Sequence, residues 1–148
     1  MSTSSVAPRG CTNFRLRQVT RRVTQHFDRH VGEAGLKTTQ YSLLTLLERL
    51  GPVRPVDLAR EMTMDPSTLT RNLQPLIERG LAQLAPGVDG RSRVATLTEA
   101  GRATRAEAAR AWKRAQLALN ERLGNERVVR LHALLEDCLE RLDPGDDA

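Results

Sequence analysis

Residues 65–80, DPSTLTRNLQPLIERG, carry both ends of a helix in their own sequence and constrain the fold more than any other segment. Asp65 can accept hydrogen bonds from the free N–H groups of a first turn, and Pro66 falls at the first helical position, where its missing N–H is no loss. Met64 and Leu69 have the spacing of a hydrophobic staple across that cap. Leu69, Leu73, Leu76 and Ile77 then recur on one face, and Gly80 supplies the stop. Pro75 removes the hydrogen bond to the Arg71 carbonyl, at a cost of about 3 kcal/mol in a regular helix, which predicts a bend behind a straight front end. The face left over carries Ser67, Thr68, Thr70, Arg71 and Asn72. Short hydroxyls and helix N-terminal N–H groups suit phosphates, arginine suits guanine and asparagine suits adenine. An ordinary solvated face uses the same residue types, so this segment alone leaves both readings open.

The flanking segments narrow the choice. Pro55 opens a short helix with Val56, Leu58, Ala59 and Met62 as its apolar face, ending just before the cap. QYSLLTLLERL predicts a helix over 39–50, with Tyr41, Leu44, Leu47 and Leu50 on one face and Gly51 and Pro52 ending it. After Gly80, LAQLAPGVDGRSRVATLT alternates weakly and turns through Gly87 and Asp89-Gly90, a hairpin with Arg91 and Arg93 at or near its tip. Helix, short turn, capped helix and basic hairpin is the order of a winged helix-turn-helix.

Outside this lobe, residues 12–32 place Leu16, Val19, Val23 and Phe27 on one stripe of a long helix that also carries Arg15, Arg17, Arg21, Arg22 and Arg29. EAGRATRAEAARAWKRAQLALNERLG predicts a long helix whose alanines allow close packing. The last segment sets Val128, Leu131, Leu135, Cys138 and Leu142 at alternating three- and four-residue steps, a coiled-coil seam that calls for a partner helix. The expected fold is mainly α, a winged helix-turn-helix with a small β-hairpin wing and a helical dimerisation region formed by the N- and C-terminal helices. With 148 residues, 39% of them hydrophobic, one domain over 1–148 is expected. Within it, 12–36 and 99–142 would be dimerisation helices and 39–98 the DNA-binding lobe. A twofold dimer would present two capped helices to a palindrome, about 34 to 36 Å apart.

Taken together, PVDLAREMTMDPSTLTRNLQPLIERGL, DGRSR and LTEAG resemble the MarR family of bacterial transcriptional regulators, over roughly residues 12–142. The resemblance implies a homodimeric repressor, released from a palindromic operator by a small molecule. The helix at 66–79 would lie in the major groove and the wing would reach the minor groove. Asp89 and Arg91 match the family's wing pattern, but Gly90 stands where a basic residue is common, and Arg93 is its candidate substitute. Family members often bind small aromatic or phenolic ligands between the dimer helices and the DNA-binding lobe. His26, Phe27, His30, Tyr41 and Trp112 are the matching candidates here, and they serve equally well as core packing. One branch senses hydroperoxides through a thiol on the first helix, which gives Cys11 and Cys138 an alternative redox role. Cys11 lies about two residues too early for that pattern, its supporting tyrosines are absent, and structural cysteines are the default in a reducing compartment.

Charge alone decides little and leaves a duplex partner open. Lys plus Arg outnumber Asp plus Glu by 23 to 18, and the 3% aromatic content argues against stacking of single-stranded bases. MSTSSVAPRG has no apolar core of a signal peptide, and no apolar run nears the roughly 18 residues of a membrane span, so a cytoplasmic chain with no membrane partner is expected. His26 and His30 are four apart, but there is no HExxH pattern, Gly-rich phosphate loop, CxxC pair or recognisable nucleophile. No enzyme activity, cofactor or metal is therefore expected. The reading from another class is a winged helix used as a protein-interaction module without DNA binding, against which Ser67, Thr70, Arg71 and the basic wing all argue.

Overall fold

A computed structural model describes residues 6–145; the first half of MSTSSVAPRG lies outside the described residues. Among them, helices α1 (Thr12–Val31), α2 (Thr38–Leu50), α3 (Pro55–Glu61) and α4 (Pro66–Glu78) are followed by strands β1 (Ala82–Pro86) and β2 (Arg93–Leu97). Helices α5 (Glu99–Leu123) and α6 (Asn125–Leu142) complete the order, and a 3-10 turn at Gly32–Ala34 follows α1.

The core lies between α2, α3, α4, the hairpin and the first half of α5, centred on Leu43, Leu44, Leu47, Leu58, Leu69 and Leu76. Two expected core positions fall outside it. Leu50, in the last turn of α2, and Val56, in the first turn of α3, are both exposed, and Leu43 takes the buried place beside Leu44. The start of α2 is capped from a distance: Asp28 of α1 accepts from the Thr38 N–H at 2.7 Å and from its hydroxyl at 2.6 Å.

The turn between α3 and α4 is tight. The Thr63 N–H donates to the Arg60 carbonyl at 3.1 Å and the Met64 N–H to the Ala59 carbonyl at 2.9 Å, a pattern that places Thr63 in the left-handed region at φ 53°. A β-branched residue is strained there. Thr63→Asn is therefore expected to raise stability by about 1 kcal/mol, measured by urea unfolding; an unchanged or lower midpoint would contradict this.

Helix α4 runs continuously through Pro75 to Glu78. It closes with the same motif, in which the Gly80 N–H donates to the Ile77 carbonyl and the Leu81 N–H to the Leu76 carbonyl, with Gly80 at φ 72°. Strands β1 and β2 pair antiparallel from Ala82 opposite Leu97 to Pro86 opposite Arg93. Val53, between α2 and α3, forms an antiparallel bridge to Ala95, so the root of the hairpin is clamped to the helix-turn-helix. At the start of α5, the Thr98 hydroxyl donates to the Gly80 carbonyl at 2.6 Å and accepts from the Gly101 N–H at 3.0 Å. Gly101 packs so closely that a Cβ on it would stand 1.9 Å from the Leu81 carbonyl oxygen.

Along the other side of α5, Ala108, Ala111 and Ala115 are buried and α1 packs along the helix. Helix α6 buries only Val128; Leu131 is half-buried, and Leu135, Cys138 and Leu142 of the expected seam are exposed in the single chain. Cys138 is thus not a buried hydrophobe within its own chain, because among the described residues little packs against the second half of α6.

Candidate nucleic-acid interface

The front of α4 is held by one carboxylate. Asp65 Oδ1 accepts from the Thr68 N–H at 2.9 Å and the Ser67 hydroxyl at 2.6 Å, while Oδ2 accepts from the Thr68 hydroxyl at 2.7 Å. These bonds, the Ser67 hydroxyl first and then the Thr68 N–H and hydroxyl, hold the Asp65 carboxyl well below the usual carboxylate range. Because the folded value is depressed, the stabilisation is full above the unfolded value of 3.8 and is lost as pH falls through the folded one. Asp65→Asn, whose amide does not titrate, is expected to flatten the loss of stability below about pH 4. Denaturant midpoints of wild type and variant that fall in parallel with acid would contradict the assignment.

The expected DNA-facing residues of α4 divide into two groups. Ser67, Thr70 and Arg71 are exposed, whereas Thr68 and Asn72 are half-buried and turned back onto the helix. Asn72 Nδ2 donates to the Thr68 carbonyl at 2.8 Å, and the Thr68 hydroxyl, bonded to Asp65, also accepts from Arg71 Nη2 at 3.3 Å. The Thr70 hydroxyl donates to the Pro66 carbonyl at 2.9 Å. Arg71 has no carboxylate partner among the described residues, so its remaining N–H groups face solvent. Gln74, which is not among the residues expected from the sequence, is exposed on the same stripe. The spacing 67, 70, 71, 74 is one helical face, and that spacing is a signal the sequence itself contains.

The wing tip is organised by Asp89. Its Oδ1 accepts from the N–H groups of Arg91 and Ser92, each at 3.0 Å, and from the Ser92 hydroxyl at 2.9 Å. The Ser92 and Arg91 N–H groups, followed by the Ser92 hydroxyl, lower its carboxyl pKa. Asp89 therefore faces into the loop as its organiser, and does not stand outward toward a ligand. Arg91 in the tip and Arg93 at the start of β2 are exposed, with no carboxylate partner among the described residues. Two further arginines, at the N-cap and in the last turn of α3, are already engaged: Arg54 Nε and Arg60 Nη1 both meet Asp57, at 2.8 and 3.3 Å.

The candidate ligand residues come together as an aromatic cluster. Phe27 and Tyr41 each lie 6.1 Å from Trp112 between ring centroids, and His26 meets Phe27 edge-on at 5.7 Å. The two histidines have structural partners: His26 Nε2 lies 2.8 Å from the Ala115 carbonyl oxygen and His30 Nδ1 lies 2.9 Å from that of His26. Among the described residues no three potential metal ligands cluster, and no helix is long and apolar enough to cross a membrane. Of the five cluster residues, only His26 and Phe27 reach the open groove that runs along α1. Cys11 stands at the N-cap of α1, its Sγ accepting from the Phe14 N–H at 3.4 Å, and both cysteines are free and exposed.

The family model described as MarR family matches residues 36–83. Among solved structures, a probable transcriptional regulator from Pseudomonas aeruginosa is 30% identical, with a TM-score of 0.79 over 86% of this chain and 96% of that one. The M. tuberculosis transcriptional regulator MosR, in complex with DNA, is 30% identical with a TM-score of 0.76 over 90% of this chain and 99% of that one. The transcriptional repressor CouR, bound to a 23-mer DNA duplex, is 27% identical with a TM-score of 0.77 over 86% and 92%. No curated protein matches the sequence.

Proposed function

This chain belongs to the MarR family, and on that footing we propose that it is a sequence-specific DNA-binding transcriptional regulator, a homodimeric repressor acting on a palindromic operator. The observation that carries the reading is the pairing of two outward basic elements on one rigid lobe: the α4 stripe of Ser67, Thr70, Arg71 and Gln74, and the wing-tip arginines Arg91 and Arg93. The bridge between Val53 and Ala95 holds the wing to the lobe, and Asp65 and Asp89 order the two elements from behind. Arg71 has the donor fork for a guanine, and the Ser67 and Thr70 hydroxyls can turn to phosphate oxygens. MosR and CouR were both solved on DNA, and CouR is a repressor, which supports the same assignment here.

The dimer reading rests on apolar surface. Phe14, Leu16 and Val19 of α1 and Leu134, Leu139 and Leu142 of α6 are all exposed in the single chain, apolar surface of the kind that marks an interaction site. Residues 12–36 and 99–142 are accordingly assigned to dimerisation and 39–98 to DNA binding. The test is a salt titration on duplex DNA with wild type and Arg91→Ala. Binding that neutralises one phosphate fewer has a slope of log affinity against log salt shallower by about one. A wild-type slope near zero would leave the lobe as a protein-interaction module, and an unchanged slope in the variant would remove the wing from the DNA interface.

A further inference from the structure

The two ends of α4 are held by different parts of the chain. Asp65, its own N-cap, fastens the front, whereas the rear meets both of the long helices assigned above to dimerisation. Arg79, the C-cap of α4, donates from Nη1 to the Gly35 carbonyl at 2.8 Å, where α1 and its 3-10 turn end. On the next residue, the Gly80 carbonyl accepts from the hydroxyl of Thr98, the N-cap of α5, at 2.6 Å. The Leu81 carbonyl accepts from the Thr98 N–H at 3.2 Å. Consecutive residues 79–81 are thus bonded to the end of one dimerisation helix and to the start of the other.

The seat at Gly35 suits a guanidinium. Gly35 stands at φ 77°, and a Cβ there would come within 3.3 Å of Arg79 Nη2, so a side chain at this position would crowd the bond. Its carbonyl lies at the negative end of a helical segment, where a cation is favoured. Arg79 has no carboxylate partner among the described residues, so this carbonyl is what orients it. Leu69, Leu73 and Leu76 seat α4 in the core, but apolar packing has no direction of its own, and a charge-assisted hydrogen bond does.

A helix held at its rear acts as a lever at its front. The 13 residues of α4 span about 20 Å. A tilt of about ten degrees at the rear therefore carries the front by about 3.4 Å, the rise of one base pair. We propose that Arg79 is a positioning residue: by tying the rear of α4 to the end of α1 it fixes the separation of the two α4 stripes in the dimer, and so decides which half-site spacing is accepted. The inference rests on the homodimeric DNA-binding reading above and adds a residue that selects spacing without touching a base.

The test titrates the palindrome enriched by the wild-type protein beside versions whose half-sites stand one base pair closer or farther apart. Wild type, Arg79→Ala and Arg79→Lys are compared as full chains. Wild type should lose about tenfold or more in affinity at either altered spacing, and Arg79→Ala should bind all three duplexes within about threefold. Arg79→Lys, which keeps the charge and a donor, should recover most of the discrimination. Preferences at single base pairs within a half-site should be the same in all three proteins. Arg79 is exposed, so Tm should stay within about 2 °C of wild type.

An Arg79→Ala protein that discriminates spacing as sharply as wild type would overturn the proposal, as would an Arg79→Lys that behaves like the alanine variant. Equal weakening of Arg79→Ala on all three duplexes with a shallower salt slope would make Arg79 a phosphate ligand and overturn it too. A wild type indifferent to spacing would overturn the proposal and leave the DNA-binding reading intact. A wild type that enriches no palindrome would overturn that reading itself.

Discussion

Gly101→Ala is expected to destabilise the chain by about 3 kcal/mol or more, a large share of the roughly 5 to 15 kcal/mol that holds a domain together. The added methyl would stand 1.9 Å from the Leu81 carbonyl oxygen, 2.8 Å from the Leu81 carbonyl carbon and 2.8 Å from Leu97 Cδ1. Two of those atoms are backbone and cannot swing aside. The Leu81 carbonyl also accepts from the Thr98 N–H at 3.2 Å, so a shift there would strain the hydrogen bonds that join the end of α4 to the start of α5. For a chain of this size the corresponding fall in Tm is roughly 10 °C. Because the displaced joint carries α4, DNA affinity should fall as well, even though Gly101 is far in sequence from the α4 stripe. A Tm within about 2 °C of wild type would mean that the joint relaxes at little cost, contrary to its packing.

The second large effect is Arg71→Ala, expected to weaken operator binding by about 1 to 3 kcal/mol and to relax preference at one base pair. Arg71 is exposed, is free of any carboxylate among the described residues, and is held by its 3.3 Å bond to a Thr68 hydroxyl that Asp65 itself orients. Its guanidinium is therefore directed before DNA arrives, which limits the entropy cost of binding. Stability should barely change, since the side chain contributes nothing to the core. Equal weakening on operator and scrambled DNA would make Arg71 a phosphate ligand and not a base reader.

Much of this architecture could be read from local sequence signals. Asp65-Pro66, Gly80 and the Asp89-Gly90 turn act through neighbours one to five residues away, and the elements they delimit lie where those signals put them. What could not be read depends on distant partners or on a backbone conformation that the residue type does not announce. The cap of α2 comes from Asp28, ten residues upstream on another helix. The turn before α4 uses Thr63 at a positive φ where glycine or asparagine would have announced it. Gly101 marks a close approach to Leu81 that no helix-propensity rule contains. At the site, the polar stripe of α4 was legible as a set, but its division was not. Thr68 and Asn72 have the same residue types as a DNA-reading face, and only the hydrogen bonds to Asp65 and to the Thr68 carbonyl show that they serve the helix first. Asp89 was legible as a wing residue, and its inward role follows from three bonds across the tip. Cys138 and the leucines of α6 read as a buried seam because periodicity reports an apolar face without saying which molecule covers it.

The central claim is that one lobe of each chain in a homodimer reads a half-site through α4 while its wing grips the adjacent backbone. The most direct measurement takes the duplex enriched from a random pool by the wild-type protein and titrates it, beside a scrambled duplex of the same composition, at physiological salt. The account predicts a palindrome with half-site centres about 10 base pairs apart, two chains bound per duplex, and affinity for it at least about a thousandfold above that for the scrambled sequence. Equal affinity for the two duplexes, or enrichment of no common sequence, would contradict it.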